Sequence, residues 1–252
     1  MLFFVIFAII EVVQVVIMQR YFAKDKNNEN FILYDSDIHH IKNVMRGKVG
    51  DQIEVVYNNQ INICNITNLE PLELKTTIIL DDNNELNIDV TIAVALVSEQ
   101  KFDLILQKLT ELGVTRIIPL KTERSIVKLD DKKIEKKIAR WQLICKEASE
   151  QSKRNKVPIV DNILTLDELS KIAKNTKLIC SLSDDTKHID KYLTPNLKEI
   201  LFAIGPEGGF SQEEEAKLLN GGFKRTSLGK QVFRVETAAI YVASIINYRY
   251  GG

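Results

Sequence analysis

The residues best suited to chemistry in this chain lie near its C-terminus. Gly205-Pro206-Glu207-Gly208-Gly209 follows the apolar run 200–204, and Leu228-Gly229 follows a second short run before Arg234-Val235-Glu236. Glycine has no side chain, so loops of this kind let the backbone approach a ligand closely. Arginine offers a planar fork of donors to an anion, and a glutamate can take up a proton. Ser211 and Glu214 have the S-x-x-E spacing of a helix capping box, and Gly221-Gly222 would end that helix. A long helical segment starts near Val235. Each glycine loop therefore follows a strand and precedes a helix, the place at the carboxyl ends of an α/β sheet where ligands bind. Plainer readings stand beside these. The glycines could simply make tight turns. Arg234 could pair with Glu236 across the loop, a weak interaction at a surface. Glu236 also suits a helix N-terminus electrostatically, and that structural role ranks above a catalytic one.

The elements that must hold these loops follow from the rest of the chain. From residue 19 to about 82 the pattern is β: FILYD, QIEVVYNNQINICNIT and LKTTIIL are β-branched and apolar runs. Asn58-Asn59 predicts a two-residue hairpin turn. Apolar residues at 38, 41, 44 and 45 predict a short amphipathic helix. This part reads as a small, mostly antiparallel barrel or sandwich. The polar run Asp81-Asp82-Asn83-Asn84-Glu85 is the natural linker. From Ile88 strands and helices alternate: VTIAVALV, a helix over 102–112 ended by Gly113, RIIPL, a long basic helix over 132–152, KLICSL, LFAIG and RTSLG. That rhythm predicts a largely parallel sheet with helices on both faces. Trp141, the only tryptophan, is expected in the core rather than stacked on a base.

Composition removes several classes. Formal net charge is zero, so global charge does not point to nucleic acid. Fifteen Lys and Arg against eight Asp and Glu over 100–156 mark a candidate basic surface, for which a solvated helical face is the plainer account. Cys64, Cys145 and Cys180 are odd in number and far apart, as expected of reduced thiols in a cytoplasmic protein. With His39, His40 and His188 they offer no zinc-like spacing, so no metal is expected. No G-x-G-x-x-G follows a strand, Gly222 and Gly229-Lys230 miss the phosphate-loop spacing, and there is no G-x-S-x-G. Residues 1–17, MLFFVIFAIIEVVQVVI, are almost wholly apolar but short for a spanning helix and interrupted by Glu11 and Gln14. A membrane anchor, a signal and a non-native extension compete here. The favoured expectation is a start assigned too far upstream, with Met18 as the true start and no stable membrane association.

Six stretches, taken in order, carry a resemblance: Met18-Gln19-Arg20-Tyr21-Phe22; residues 40–46 with Gly50-Asp51; residues 108–114 with Thr122-Glu123-Arg124-Ser125; Arg140-Trp141; residues 147–154 with Pro158; and residues 205–210 with Leu228-Gly229 and 234–238. From Met18 onward the chain resembles the SPOUT methyltransferases. More narrowly, it is similar to the bacterial 16S rRNA uridine N3-methyltransferase family, ribosomal RNA small subunit methyltransferase E. The resemblance implies a trefoil-knotted SPOUT domain over 86–252, behind a PUA-like β-barrel RNA-binding domain over 18–83. It implies a homodimer, S-adenosyl-L-methionine as cofactor, and 16S rRNA of the small ribosomal subunit as partner. By the same resemblance, Leu182, Gly205, Glu207, Gly208, Gly209, Leu228, Gly229, Val232 and Phe233 hold the cofactor. RNA contacts fall to Arg20, Arg46, Arg124, Gln151 and Arg154.

Uridine N3 is mostly protonated at neutral pH, so its methylation needs a base or a cation that stabilises the ring anion. Arg234 is the first choice for that cation, with Glu236 and Glu207 as candidate bases. Two departures stand out. Gln231 replaces a basic residue common in the family, and Val232-Phe233 replaces Ile-Leu while keeping the apolar character. Two other functions compete: SPOUT methylation of a ribose 2′-hydroxyl, and a non-catalytic RNA-binding assembly protein. The barrel domain and the 147–152 segment weigh against the first. The intact glycine loops and Arg234 weigh against the second.

Overall fold

A computed structural model describes residues 18–28, 30–125, 133–183 and 185–251. The apolar stretch 1–17 lies outside the described residues. The N-terminal part comprises β1 (Arg20–Phe22), β2 (Asp25–Asn27), β3 (Asn30–Ile32), α1 (Asp35–His39), β4 (Gln52–Tyr57), β5 (Gln60–Leu69) and β6 (Leu72–Leu80). Its four-stranded sheet has the order β1-β4-β5-β6, and β2 and β3 form a separate hairpin. Only the β1–β4 pairing is parallel. Asn58 and Asn59 join β4 to β5 with φ of 50° and 64°, the left-handed pair of a type I′ turn. Tyr21, Phe31, Ile41, Val55 and Ile66 fill this part's own core.

The amphipathic helix expected over 38–46 is corrected in one respect. α1 begins earlier and passes into a π-helical turn over His40–Val44, where Met45 N–H donates to His40 O. The wider turn rotates the face. Ile41 is buried, but Val44 and Met45 are 61% and 52% exposed rather than packed with it.

The α/β part runs β7 (Asp89–Ala95), α2 (Glu99–Glu111), β8 (Arg116–Leu120), α3 (Ile134–Gln151), β9 (Ile159–Val160), α4 (Leu166–Ser170), β10 (Lys177–Cys180), β11 (Lys187–His188), β12 (Glu199–Ile204), α5 (Gln212–Asn220), β13 (Lys224–Ser227) and α6 (Val235–Tyr250). Its seven-stranded sheet has the order β11-β13-β10-β12-β7-β8-β9, and every pairing is parallel. Both faces are covered, which is why the strands read as continuous apolar runs. Ile200, Phe202 and Ile204 of β12 pack with Phe102 of α2, Trp141 of α3 and Val242 of α6. Leu201 and Ala203 face the other way, toward Leu169 of α4 and Leu218 of α5. Trp141 is 1% exposed and meets Phe102 in a tilted ring contact, in the core as expected. The capping box Ser211–Glu214 forms at α5. A second box, Thr165–Glu168, starts α4, a helix of five residues, too short to show an apolar period in the sequence. Among the described residues, no helix is long and apolar enough to cross a membrane.

A seam of buried charge joins the two parts. Arg20 donates through Nε to Glu54 at 2.7 Å and through Nη1 to the Arg154 carbonyl at 3.1 Å. Arg154 reaches Glu85 Oε2 at 2.5 Å and the carbonyls of Thr110 and Val114. Lys146 pairs with Asp37 and Glu150, both at 2.7 Å. Arg20 and Arg154 are each only 3% exposed. The structure therefore corrects the RNA-facing role expected of them: their guanidinium groups are consumed by carboxylates and carbonyls in the seam.

Candidate functional site

Strand β10 lies between β12 and β13, and the loops leaving these three strands meet at their carboxyl ends. The chain builds outward from β7 through β8 to β9, then returns to fill the opposite side. The loops thus gather where strand order departs from chain order, the usual ligand position in such sheets. They enclose a cleft floored by Ile204, Val235 and Ala238. Leu182, Gly205, Glu207, Gly209, Leu228, Gly229, Val232 and Phe233 all line it. Gly208 does not; it lies under Arg124, whose Nη1 donates to the Gly208 carbonyl at 2.6 Å. Motif reading had no signal for Cys180, Ser181 and Thr226, which also line the cleft, because each sits at an ordinary strand end.

Local geometry explains two of the glycines. A Cβ on Gly205 would stand 3.1 Å from the Phe210 nitrogen and 3.2 Å from its ring. Gly229 has φ of 132°, a backbone state that side chains disfavour. The loop after β12 is anchored at its far end by Glu214. Its carboxylate accepts from Ser211 N at 2.9 Å and from Glu123 N at 2.7 Å, tying the β8–α3 connection to the start of α5.

Four charges gather beside the cleft; of these Glu207 lines it, whereas Lys101, Arg234 and Glu236 do not. Arg234 is the N-cap residue of α6, with extended backbone and an exposed side chain. Among the described residues, no hydrogen bond or ion pair engages its guanidinium. The pairing with Glu236 weighed from sequence does not form. Lys101 of α2 takes the carboxylates instead, at 2.8 Å from Glu207 Oε1 and 3.7 Å from Glu236 Oε2. Its hydrogen bond holds the Glu207 carboxyl below the usual carboxylate range, which makes Glu207 a weak base. Glu236 Oε2 is buried and accepts no hydrogen bond; the Lys101 ammonium at 3.7 Å is an ion-pair partner beyond hydrogen-bond distance. At the cleft floor, burial pushes the Cys180 thiol up to about 12.

The remaining residues of interest separate by exposure. Arg46, Arg124 and Gln151 are exposed, and Arg46 holds a left-handed φ of 53°. Arg20 and Arg154 are locked in the seam described above. Gln231 lines the cleft and is exposed.

The cleft suits a flat, mostly apolar ligand with polar edges. Its floor is aliphatic, its walls are backbone from three loops, and Leu182 and Val232 stand 76% and 73% exposed at the mouth. These are the features of a small-molecule site. Residues 84–247 match the family described as RNA methyltransferase domain, and residues 33–79 match RNA methyltransferase PUA domain. The fold and the cleft thus define an RNA methyltransferase of the SPOUT class with an N-terminal PUA domain.

The chain is 35% identical over 248 residues to ribosomal RNA small subunit methyltransferase E of Bacillus subtilis, covering 92% of this chain and 97% of that one. The corresponding enzyme of Neisseria gonorrhoeae, solved bound to S-adenosyl methionine, superposes with a TM-score of 0.83 at 30% identity, over 92% of this chain and 98% of that one. A Legionella pneumophila protein solved with the cofactor SAM gives 0.84 at 30% identity, over 92% and 97%. The chain belongs to the ribosomal RNA small subunit methyltransferase E family. The expectation of S-adenosyl-L-methionine as cofactor is borne out by the two solved relatives that hold it.

Proposed function

We propose that this protein methylates N3 of a uridine in 16S rRNA of the small ribosomal subunit, acting as a homodimer in the cytoplasm. The observation that carries the reading is the unengaged guanidinium of Arg234, whose chain neighbours Phe233 and Val235 both line the cleft. S-adenosyl-L-methionine supplies an electrophilic methyl group on a sulfonium centre. The chain's part is alignment and electrostatics. Leu182, Gly205, Gly209, Leu228, Gly229, Val232 and Phe233 hold the cofactor between three loops, with Glu207 and Gly208 shaping the first of them. Arg234 faces the uracil and stabilises the negative charge that develops when N3 loses its proton. Glu236, whose buried Oε2 accepts no hydrogen bond among the described residues, is the candidate to receive that proton or to hold a donor of the substrate. Arg46, Arg124 and Gln151 position the RNA through its backbone, the contacts that orient without specifying sequence.

The two parts of the chain serve as two domains, 18–83 presenting RNA and 86–252 carrying the transfer. Support for a dimer comes from an apolar stripe running from Val232 and Phe233 onto Tyr241 and Tyr248 of α6. Val232 and Tyr248 are 73% and 91% exposed, and the Phe233 and Tyr241 rings meet in a tilted contact at 5.0 Å.

The test gives the protein undermethylated small subunits and labelled cofactor, then maps the modified atom. Label on uridine N3 is expected; label on a ribose 2′-hydroxyl would replace the proposed target. Arg234→Ala should lower turnover by roughly 10²–10³-fold, the usual loss for a donor that stabilises a developing anion. Near-normal turnover of that variant would refute the role given to Arg234.

A further inference from the structure

Lys101 is the one charge at the cleft edge that the proposed chemistry leaves without a task. It sits in the first turn of α2, on a different element from either carboxylate it touches. Its Nζ is 2.8 Å from Glu207 Oε1, in the loop after β12, and 3.7 Å from Glu236 Oε2, in the first turn of α6. Arg234 lies close enough to act electrostatically on both Lys101 and Glu207. The edge therefore holds two cations and two anions, but the pairing is lopsided. Lys101 takes both carboxylates, and Arg234 takes neither.

That division has a consequence. A guanidinium matches a carboxylate with two parallel hydrogen bonds, a better fit than an ammonium makes. If Lys101 were absent, two carboxylates would be left beside one exposed, rotatable arginine. Arg234 would then fold onto Glu207, the carboxylate that Lys101 hydrogen-bonds at 2.8 Å, and its donors would be turned away from the cleft. We propose that Lys101 is a positioning residue: by occupying Glu207 it keeps the Arg234 guanidinium unpaired and available to the anionic group in the cleft. This rests on the reading of Arg234 given above.

A simpler role would make Lys101 a clamp that only fastens the loop after β12 to α2. The two roles differ in what Glu207 does once Lys101 is gone. For a clamp, cutting both ends is no better than cutting one. For a residue that shields Arg234, Glu207 becomes the harmful group, and removing it restores function. A double-mutant cycle separates them.

The experiment measures kcat, and KM for S-adenosylmethionine, for the wild type, Lys101→Met, Lys101→Arg, Glu207→Gln and the Lys101→Met/Glu207→Gln double variant. Undermethylated small subunits are the substrate, as above, and thermal midpoints are recorded to confirm folding. Lys101→Met is expected to lower kcat by about tenfold while the cofactor KM moves by less than about twofold, because the lost interaction acts on the transition state. The same substitution made in the Glu207→Gln background should lower kcat by less than about threefold relative to Glu207→Gln itself. Lys101→Arg, which keeps the charge, should stay within about threefold of wild type. An equal loss in both backgrounds, or a rise in cofactor KM that accounts for the whole effect, overturns the proposal in favour of the clamp. Unchanged turnover of Lys101→Met overturns it outright. A wild type that transfers no methyl group to the RNA overturns the functional reading, and this inference with it.

Discussion

At Gly205 a single methyl group would press on the loop that follows. The nearest backbone atom of Phe210 would stand 3.1 Å from an added Cβ, and backbone cannot yield as a flexible side chain can. Gly205→Ala should therefore shift the loop and weaken cofactor binding by about tenfold, read by calorimetry with S-adenosylhomocysteine, with thermal stability lowered by roughly 1–3 kcal/mol. Wild-type affinity would show that the loop has more slack than its geometry implies. Cys180 makes a second residue-scale prediction. Its thiol lines the cleft but is pushed up to about 12 by burial, and the Cys145 thiol up to about 11. Since the thiolate is the reactive form, iodoacetamide at pH 8 should label neither in the native protein and both after denaturation. Cys180 is part-exposed at the cleft, so its protection rests on the raised thiol, and rapid native labelling seen by mass spectrometry would contradict that. Residue types were legible where they made a local pattern, as the glycines did. Lys101 was not legible: its hydrogen-bonding partner is 106 positions away, and no motif spans that distance.

Among the elements, the seam between the sheet of β1 and the end of α3 decides what two arginines do. Arg154 is 3% exposed, and its partner Glu85 also accepts from the backbone of Asn155 and Lys156. Truncating it strands a buried carboxylate, so Arg154→Met should cost about 3–5 kcal/mol in urea unfolding. Arg46→Ala, at an exposed position, should stay within about 0.5 kcal/mol of wild type while weakening RNA binding. The opposite pattern would return Arg154 to the RNA face.

At the other end of the sheet, Lys174 sits 2.5 Å from Asp89 and 3.1 Å from Glu199. Burial raises Asp89, but the hydrogen bonds from Lys174 and Thr115 outweigh it. Glu199 is lowered by the Asn175 backbone N–H and then by Lys174. Both carboxyls thus lie below their ordinary values. They add stability above about pH 4–4.5 and lose it as the pH falls through the folded-state values. Lys174→Met should lower stability at neutral pH by less than about 1 kcal/mol and by still less at about pH 3. A loss that is the same at both pH values would mean that the pairs contribute nothing.

For the whole molecule, the stripe from Val232 to Tyr248 leads to a prediction about assembly. Sedimentation velocity at micromolar concentration should give twice the chain mass, and Tyr248→Asp should shift the population toward monomer. A wild-type monomer at that concentration would remove the dimer from the proposal.

The sequence alone determined what depends on neighbours a turn or a strand apart. Continuous apolar runs mark strands buried on both faces, Ser211 and Glu214 cap a helix, Asn58-Asn59 turns a hairpin, and glycines permit the close loops. It also carried the ordered motifs by which the family was recognised, since their spacing is a property of the chain itself. The tertiary structure decided the fate of the charges. Arg20, Arg124, Arg154 and Arg234 look alike in sequence, yet two are spent in a buried seam, one holds the Gly208 carbonyl, and one stands unpaired at the cleft. A charged side chain takes its role from the partner that folding brings within a few ångströms and from the water it excludes. For each of these four, that partner, or its absence, was settled by residues far away in the chain.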